Sequence, residues 1–207
     1  MRKRLTAILL GSGAALALGL GTATAMATTA TTWTITPGGA VTGSAGKTIM
    51  KDTKTGTTLT CKSSATKATL KKGSGLTNPL GKITSVTFSN CTGPNGLTFT
   101  ATASASKTHP WKLDASTYSG GVTHGKITGI MGSLSGNGCS ATLAGRTATT
   151  PGTVIGTYIN STHTLKGSGG NLHIWNVSGC LSLINNGDPA SLVSSYTVSP
   201  PQTVTSP

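Results

Sequence analysis

The chain has 207 residues, with 16 Lys and Arg against only 3 acidic residues, a formal charge of +13 and 4% aromatic content. Three carboxylates leave little material for a glycosidase-type acid pair. A basic set that is almost all lysine argues against bidentate recognition of phosphate or of base edges, and no stacking or groove-reading motif accompanies it, so no specific nucleic-acid partner is expected.

The chain opens on Arg2, Lys3 and Arg4, runs through an apolar stretch over 5–20, and reaches two overlapping Ala-x-Ala steps within 23–27. This order predicts a secretory leader over 1–27, cut after Ala27. The apolar stretch falls short of the ~20 residues that a membrane span requires. Three cations leave with the leader, and the formal charge falls from +13 to +10. No second apolar run follows, so no transmembrane segment is expected in 28–207.

Past the leader the pattern is β. The run SVTFSN (85–90) places Val86 and Phe88 on one side, and LTFTATASAS (97–106) alternates Leu97, Phe99, Ala101, Ala103 and Ala105 against Thr and Ser. In NLHIWNVSG (171–179), Leu172 and Ile174 share one face and His173, Trp175 and Val177 the other; in LVSSYTVS (192–199), Leu192, Tyr196 and Val198 fall together. Period-2 alternation is the mark of half-buried strands. Turns rich in Gly, Asn and Pro punctuate them at KKGSG, NPLG, GPNG, SGNG, GSGG and NNGDP. Short strands so spaced predict an all-β fold, an antiparallel β-sandwich or barrel. No helical stripe follows the leader.

The construction is made twice. An offset of 78 lays Trp33 on Trp111, Ile35 on Leu113, Ile49 on Ile127 and Cys61 on Cys139. Cys91 follows Cys61 by 30 residues and Cys180 follows Cys139 by 41, so the second copy carries an insertion of about 11 residues, expected within 145–170. The copies span 33–103 and 111–199. They are read as one pseudo-symmetric domain over 28–207, with two small tandem sandwiches as the alternative. Four cysteines in an exported chain predict two disulfides. Three connectivities exist; keeping bridges within copies gives Cys61–Cys91 and Cys139–Cys180.

Candidate chemistry is sparse. Of the carboxylates Asp52, Asp114 and Asp188, the last sits in a turn before Pro189. His109, His124, His163 and His173 form no metal-ligand spacing, so no metal and no cofactor are expected. Trp33 and Trp111 recur in register and are assigned to the core. Trp175, Tyr118 and Tyr158 are the aromatics left for ligand stacking, with cross-strand packing as the simpler role. The loop LINNGDP is unique to the second copy and makes Asn185, Asn186 and Asp188, beside Trp175, the candidate binding residues. The sequons at Asn90, Asn160 and Asn176 are read as products of Ser/Thr richness.

At LTFTATA (97–103), SGNGCSATL (135–143) and NVSGCLSLINNGDPASLVSSYTVSP (176–200) the chain resembles a group of small exported actinobacterial proteins with Thr/Ser/Gly-rich mature regions and paired cysteines. That group has no established activity, so the resemblance implies secretion and an all-β fold and carries over no site residue.

The expected function is therefore that of a secreted, non-catalytic protein associated with the cell envelope or an extracellular polymer, its partner an anionic cell-wall polymer or polysaccharide met by the lysine field. A small-molecule carrier or protein inhibitor is the alternative. A hydrolase would require His173, Asp188 and a serine to converge.

Overall fold

The computed structural model describes residues 31–207; the leader expected over 1–27 lies outside them. Sixteen strands follow one another: β1 (Trp33–Thr36), β2 (Gly39–Ala45), β3 (Thr48–Asp52), β4 (Thr58–Leu70), β5 (Gly73–Leu76), β6 (Gly81–Thr92), β7 (Thr98–Ala103), β8 (Trp111–Ser119), β9 (Val122–Ile130), β10 (Gly132–Gly136), β11 (Cys139–Ala144), β12 (Gly152–Ile159), β13 (Thr164–Ser168), β14 (Leu172–Ser178), β15 (Pro189–Ser199) and β16 (Thr203–Thr205). A single 3-10 turn, Pro94–Gly96, is the helical content of the described residues. All pairings are antiparallel, and the fold is all-β with two disulfides.

The local expectations hold strand by strand. In β7 the Thr side chains are exposed and Phe99, Ala101 and Ala103 are half-buried; Leu97 lies just before the strand and is exposed. Leu172 and Ile174 of β14 are buried, and His173, Trp175 and Val177 on its other face are half-covered. Leu192, Ser194 and Tyr196 of β15 form one buried row. Thr and Ser suit the solvent face because they tolerate extended backbone and bond to water.

The three longest strands organise the rest. β4, β6 and β15 change partners along their length. The first part of β4 pairs with β3 and the second with β2; the start of β6 pairs with β8 and its end with β7; β15 pairs first with β3, then with β13 and β2. Two closed rings of pairing result. One runs β3-β4-β6-β7-β10-β11-β14-β15 and back to β3; the other runs β2-β4-β6-β8-β9-β12-β13-β15 and back to β2. Closure removes the open edges that would otherwise invite further strand pairing.

In the first ring the two halves of the chain contribute like pieces, though not in the offset-78 register throughout, which lays Ile49 of β3 on Ile127 of β9. Each half contributes a hairpin (β3–β4 or β10–β11), a disulfide-bearing pair (β4–β6 or β11–β14) and a last strand (β7 or β15) that pairs with the other half's hairpin. The halves are thus laced into one ladder by β7–β10 and β15–β3. Cys61 and Cys91 are direct cross-strand partners and join, as do Cys139 and Cys180. Bridges within copies are the observed connectivity.

The second ring is where the halves differ. Within 145–170, where an insertion is expected, lies the hairpin β12–β13, which closes that ring between β9 and β15. β1, β5 and β16 form a separate three-stranded sheet whose Trp33, Ile35 and Val204 pack with Leu80 and Tyr158 of the second ring. The register that equates Trp33 with Trp111 therefore does not extend to location. Both are buried, but Trp33 belongs to this small sheet and Trp111 to the large core beside Ile83, Ile127 and Ile130.

Candidate functional site

Charge is segregated by depth. All twelve lysines of 31–207 and Arg146 are exposed, whereas Asp52 and Asp188 are buried and Asp114 is half-buried. The outer surface is in effect cationic without interspersed acids. Four lysines gather where β6 meets β8. There Lys82 and Lys112 are direct cross-strand partners, and Lys71 and Lys72 follow the end of β4. Like charges placed opposite one another cost stability rather than add it. One ion pair joins acid and base among the described residues, Lys54 Nζ to Asp188 Oδ1 at 3.0 Å.

Two of the three carboxylates meet. Asp52, at the end of β3, accepts the backbone N–H groups of Lys54 and Thr55 at 2.8 and 2.9 Å on one oxygen. Asp188, at the foot of the 180–188 loop, accepts from the Asn185 backbone and side chain at 3.1 and 2.9 Å. The pairing of β3 with β15, in which Ala190 lies opposite Asp52, brings the two carboxylates to one seam. Asn185 chiefly holds Asp188 below the ordinary carboxylate range; desolvation opposes this, and Lys54 and Asp52 add to it. Asp188 is 1% exposed yet lies just beneath the surface, under a thin cover of loop and the Lys54 side chain. Glycosidase carboxylates stand roughly 5–9.5 Å apart across an open cleft. Both carboxylates here are buried and engaged by backbone and loop groups, an arrangement that ties turn to loop.

The candidate binding residues are absorbed by the same construction. Asn185 holds Asp188, and Asn186 accepts the Val177 N–H at 3.0 Å. Trp175 donates its indole N–H to Gly145 O at 3.0 Å and packs on His173, with Gly187 close to its ring. His173 Nδ1 bonds Asn171 O at 3.0 Å, and no hydrogen bond joins it to Asp188 or to a serine. The three sequon asparagines have structural tasks too. Asn90 and Asn176 adopt positive φ, and Asn160 bonds both the N–H and the carbonyl of Val204. Among the described residues no cluster of three or more His, Cys, Asp or Glu is placed to hold a metal ion, and no helix is long and apolar enough to cross a membrane.

What the residue patterns did not disclose is space. The inner face of each ring lines a partly open apolar cavity, about 110 Å³ in the second and about 100 Å³ in the first. An eight-stranded ring is just wide enough for side chains to fill, so an opening inside it follows from small residues on the inner face. Buried polar atoms without a partner stand among the lining residues: Thr123 Oγ1 in the second cavity, Trp111 Nε1 and Asp52 Oδ2 in the first. Tyr158 and Tyr196 also line the second cavity, but their hydroxyls are engaged, with Gln202 O at 2.8 Å and with Ser64 Oγ at 2.9 Å. Burial pushes both phenols above their ordinary value. No protein-family model, no curated protein and no solved structure matches this chain.

Proposed function

We propose that the protein is a secreted, non-catalytic binding protein that associates with polyanionic polymer of the cell envelope. The observation that carries this reading is the segregation of charge: every cation of 31–207 is exposed and two of the three carboxylates are buried. A surface of this kind attracts polyanions through its summed field, with lysines as solvated point charges rather than shaped anion clamps. Two disulfides are compatible with an oxidising compartment. The carboxylate pair is covered and ion-paired, and the histidines stand apart, which favours binding over chemistry.

The test is co-sedimentation of the purified 28–207 chain with isolated cell walls and with uncharged cellulose across a salt series. Retention on walls that weakens as salt rises, with none on cellulose, is expected, because exposed charges are screened within a Debye length of ~10 Å at 0.1 M. Absence of retention on walls at low salt, or equal retention on cellulose, overturns the proposal.

A further inference from the structure

The inside of the second ring carries a belt of residues with almost no side chain. Cross-strand partners run Ala115–Gly125 between β8 and β9, Gly125–Gly156 between β9 and β12, Gly156–Gly167 between β12 and β13, and Gly167–Ser194 between β13 and β15. Five neighbouring strands thus leave their inner faces bare at one level. The levels beside it are filled. Thr123, Tyr158, Leu165 and Tyr196 form the next row on one side, and Ile127 and Val154 on the other. The 110 Å³ cavity is lined by the Ala115, Gly125 and Gly156 part of this belt and by Thr123, Ile127 and Leu165 beside it; at Gly167 the space is taken up by Val154 and Ser194.

The glycines are not equivalent. A Cβ at Gly125 would strike Asp114 O, so that residue is dictated by close backbone approach. A Cβ at Gly156 would meet nothing nearer than Leu165 Cδ1 at 3.8 Å, an ordinary contact, and its φ is not positive. Neither backbone shape nor crowding demands glycine at 156, although glycine within a strand costs stability. Its effect is to keep the cavity open.

A second feature points to an occupant. Thr123 is 6% exposed, lines the cavity, and its hydroxyl has no partner. A buried hydroxyl without a partner is costly, and threonine can both donate and accept. The wall around it is otherwise apolar, formed by Val41, Ile83, Ile127 and Leu165 among others. An apolar cavity of ~150 Å³ holds benzene, with six non-hydrogen atoms, so this one, at about 110 Å³, takes about four or five.

We infer that the second ring is a binding site for a small, uncharged, apolar molecule bearing one hydrogen-bonding oxygen, seated on the glycine belt with that oxygen on Thr123. This goes beyond the polymer reading: it concerns the interior, uses none of the lysines, and stands or falls separately.

Tetrahydrofuran and cyclopentane test it, being alike in shape and different in one oxygen. Both are titrated by ligand-observed NMR into the purified 28–207 chain and its Thr123→Val, Gly156→Ala and Gly156→Leu variants. Both probes are expected to bind the unaltered chain. Thr123→Val should cut the preference for tetrahydrofuran about five- to tenfold, the worth of one hydrogen bond, and leave cyclopentane unchanged. Gly156→Leu should abolish binding of both, and Gly156→Ala, which the contacts admit, should weaken both if the leucine variant fails to fold. Lack of binding of both probes to the unaltered chain overturns the proposal and leaves the Thr123 hydroxyl to buried water. Equal losses of tetrahydrofuran and cyclopentane in Thr123→Val, or binding undiminished in Gly156→Ala, overturn it too.

Discussion

Asp52 and Asp188, one from each half of the chain, lie side by side beneath the 180–188 loop, and the turn that follows Asp52 is fastened to that loop. Thr53 N donates to Pro189 O at 2.9 Å, and the Thr55 and Thr57 hydroxyls donate to Leu183 O at 2.8 and 2.6 Å. Lys54 reaches over to Asp188. Charge and hydrogen bonds thus close the seam where β15 of the second half pairs with β3 of the first.

This seam should be acid-sensitive. Asp188 titrates below its ordinary value of 3.8 in the folded protein, chiefly because Asn185 hydrogen-bonds its carboxylate. A depressed folded value stabilises the protein above the unfolded value, and that contribution is lost as pH falls through the folded one. Thermal melts from pH 7 to pH 2 should therefore show an Asp188-dependent loss confined to the region below about 3.8. Asp188→Asn should melt lower than the unaltered chain at pH 7 and show a smaller difference at pH 2. A constant difference across the range would mean that the carboxylate charge does no work at the seam.

Lys82 and Lys112 oppose each other across β6 and β8. Lys82→Glu converts a repulsive pair into an attractive one and should raise stability by ~0.2–1 kcal/mol, the range for cross-strand charge pairs. The same change should weaken wall retention at low salt. Chemical denaturation and co-sedimentation of one variant read the two effects, which move in opposite directions if the surface is shaped for polyanions.

The disulfides should differ in what their loss exposes. In the chain-entropy model each is worth about 3.5–4 kcal/mol for its loop length. Cys61 and Cys91 are buried in the β4–β6 pair that both rings share. Their double replacement by Ala should lower the global denaturation midpoint. Cys139–Cys180 anchors the start of the 180–188 loop, where Cys180 packs with Ala141, Ile174 and Ile184. Replacing that pair should also bring protease cleavage within 180–188 under conditions that leave β4–β6 intact, as mapped by mass spectrometry.

Gly156→Ala should stabilise the unliganded protein by about 0.4–1 kcal/mol, since the backbone admits the methyl group and the unfolded chain loses freedom. Equilibrium unfolding checks this. A destabilised variant would mean that the cavity wall cannot accept even one carbon.

Alternation, turns and cysteine spacing are local properties, and they were legible. Phe99, Ala101 and Ala103 face inward because period-2 geometry leaves no other choice once the Thr side chains take the water side. The cysteine spacing pointed to bridges Cys61–Cys91 and Cys139–Cys180, and these are the bridges that form. Which strand lies beside which is a long-range matter on which local pattern is silent. Trp33 and Trp111 share a sequence register, yet one packs under the β16-β1-β5 sheet and the other in the shared core, because β1 pairs with the end of the chain and β8 with β6 and β9. Asp52 and Asp188 lie far apart along the chain and come to one seam only because β15 pairs with β3. The glycine belt is the plainest case. Gly125, Gly156 and Gly167 are scattered among many glycines along the chain, and only the register of four strand pairings sets them in one row and opens a cavity there.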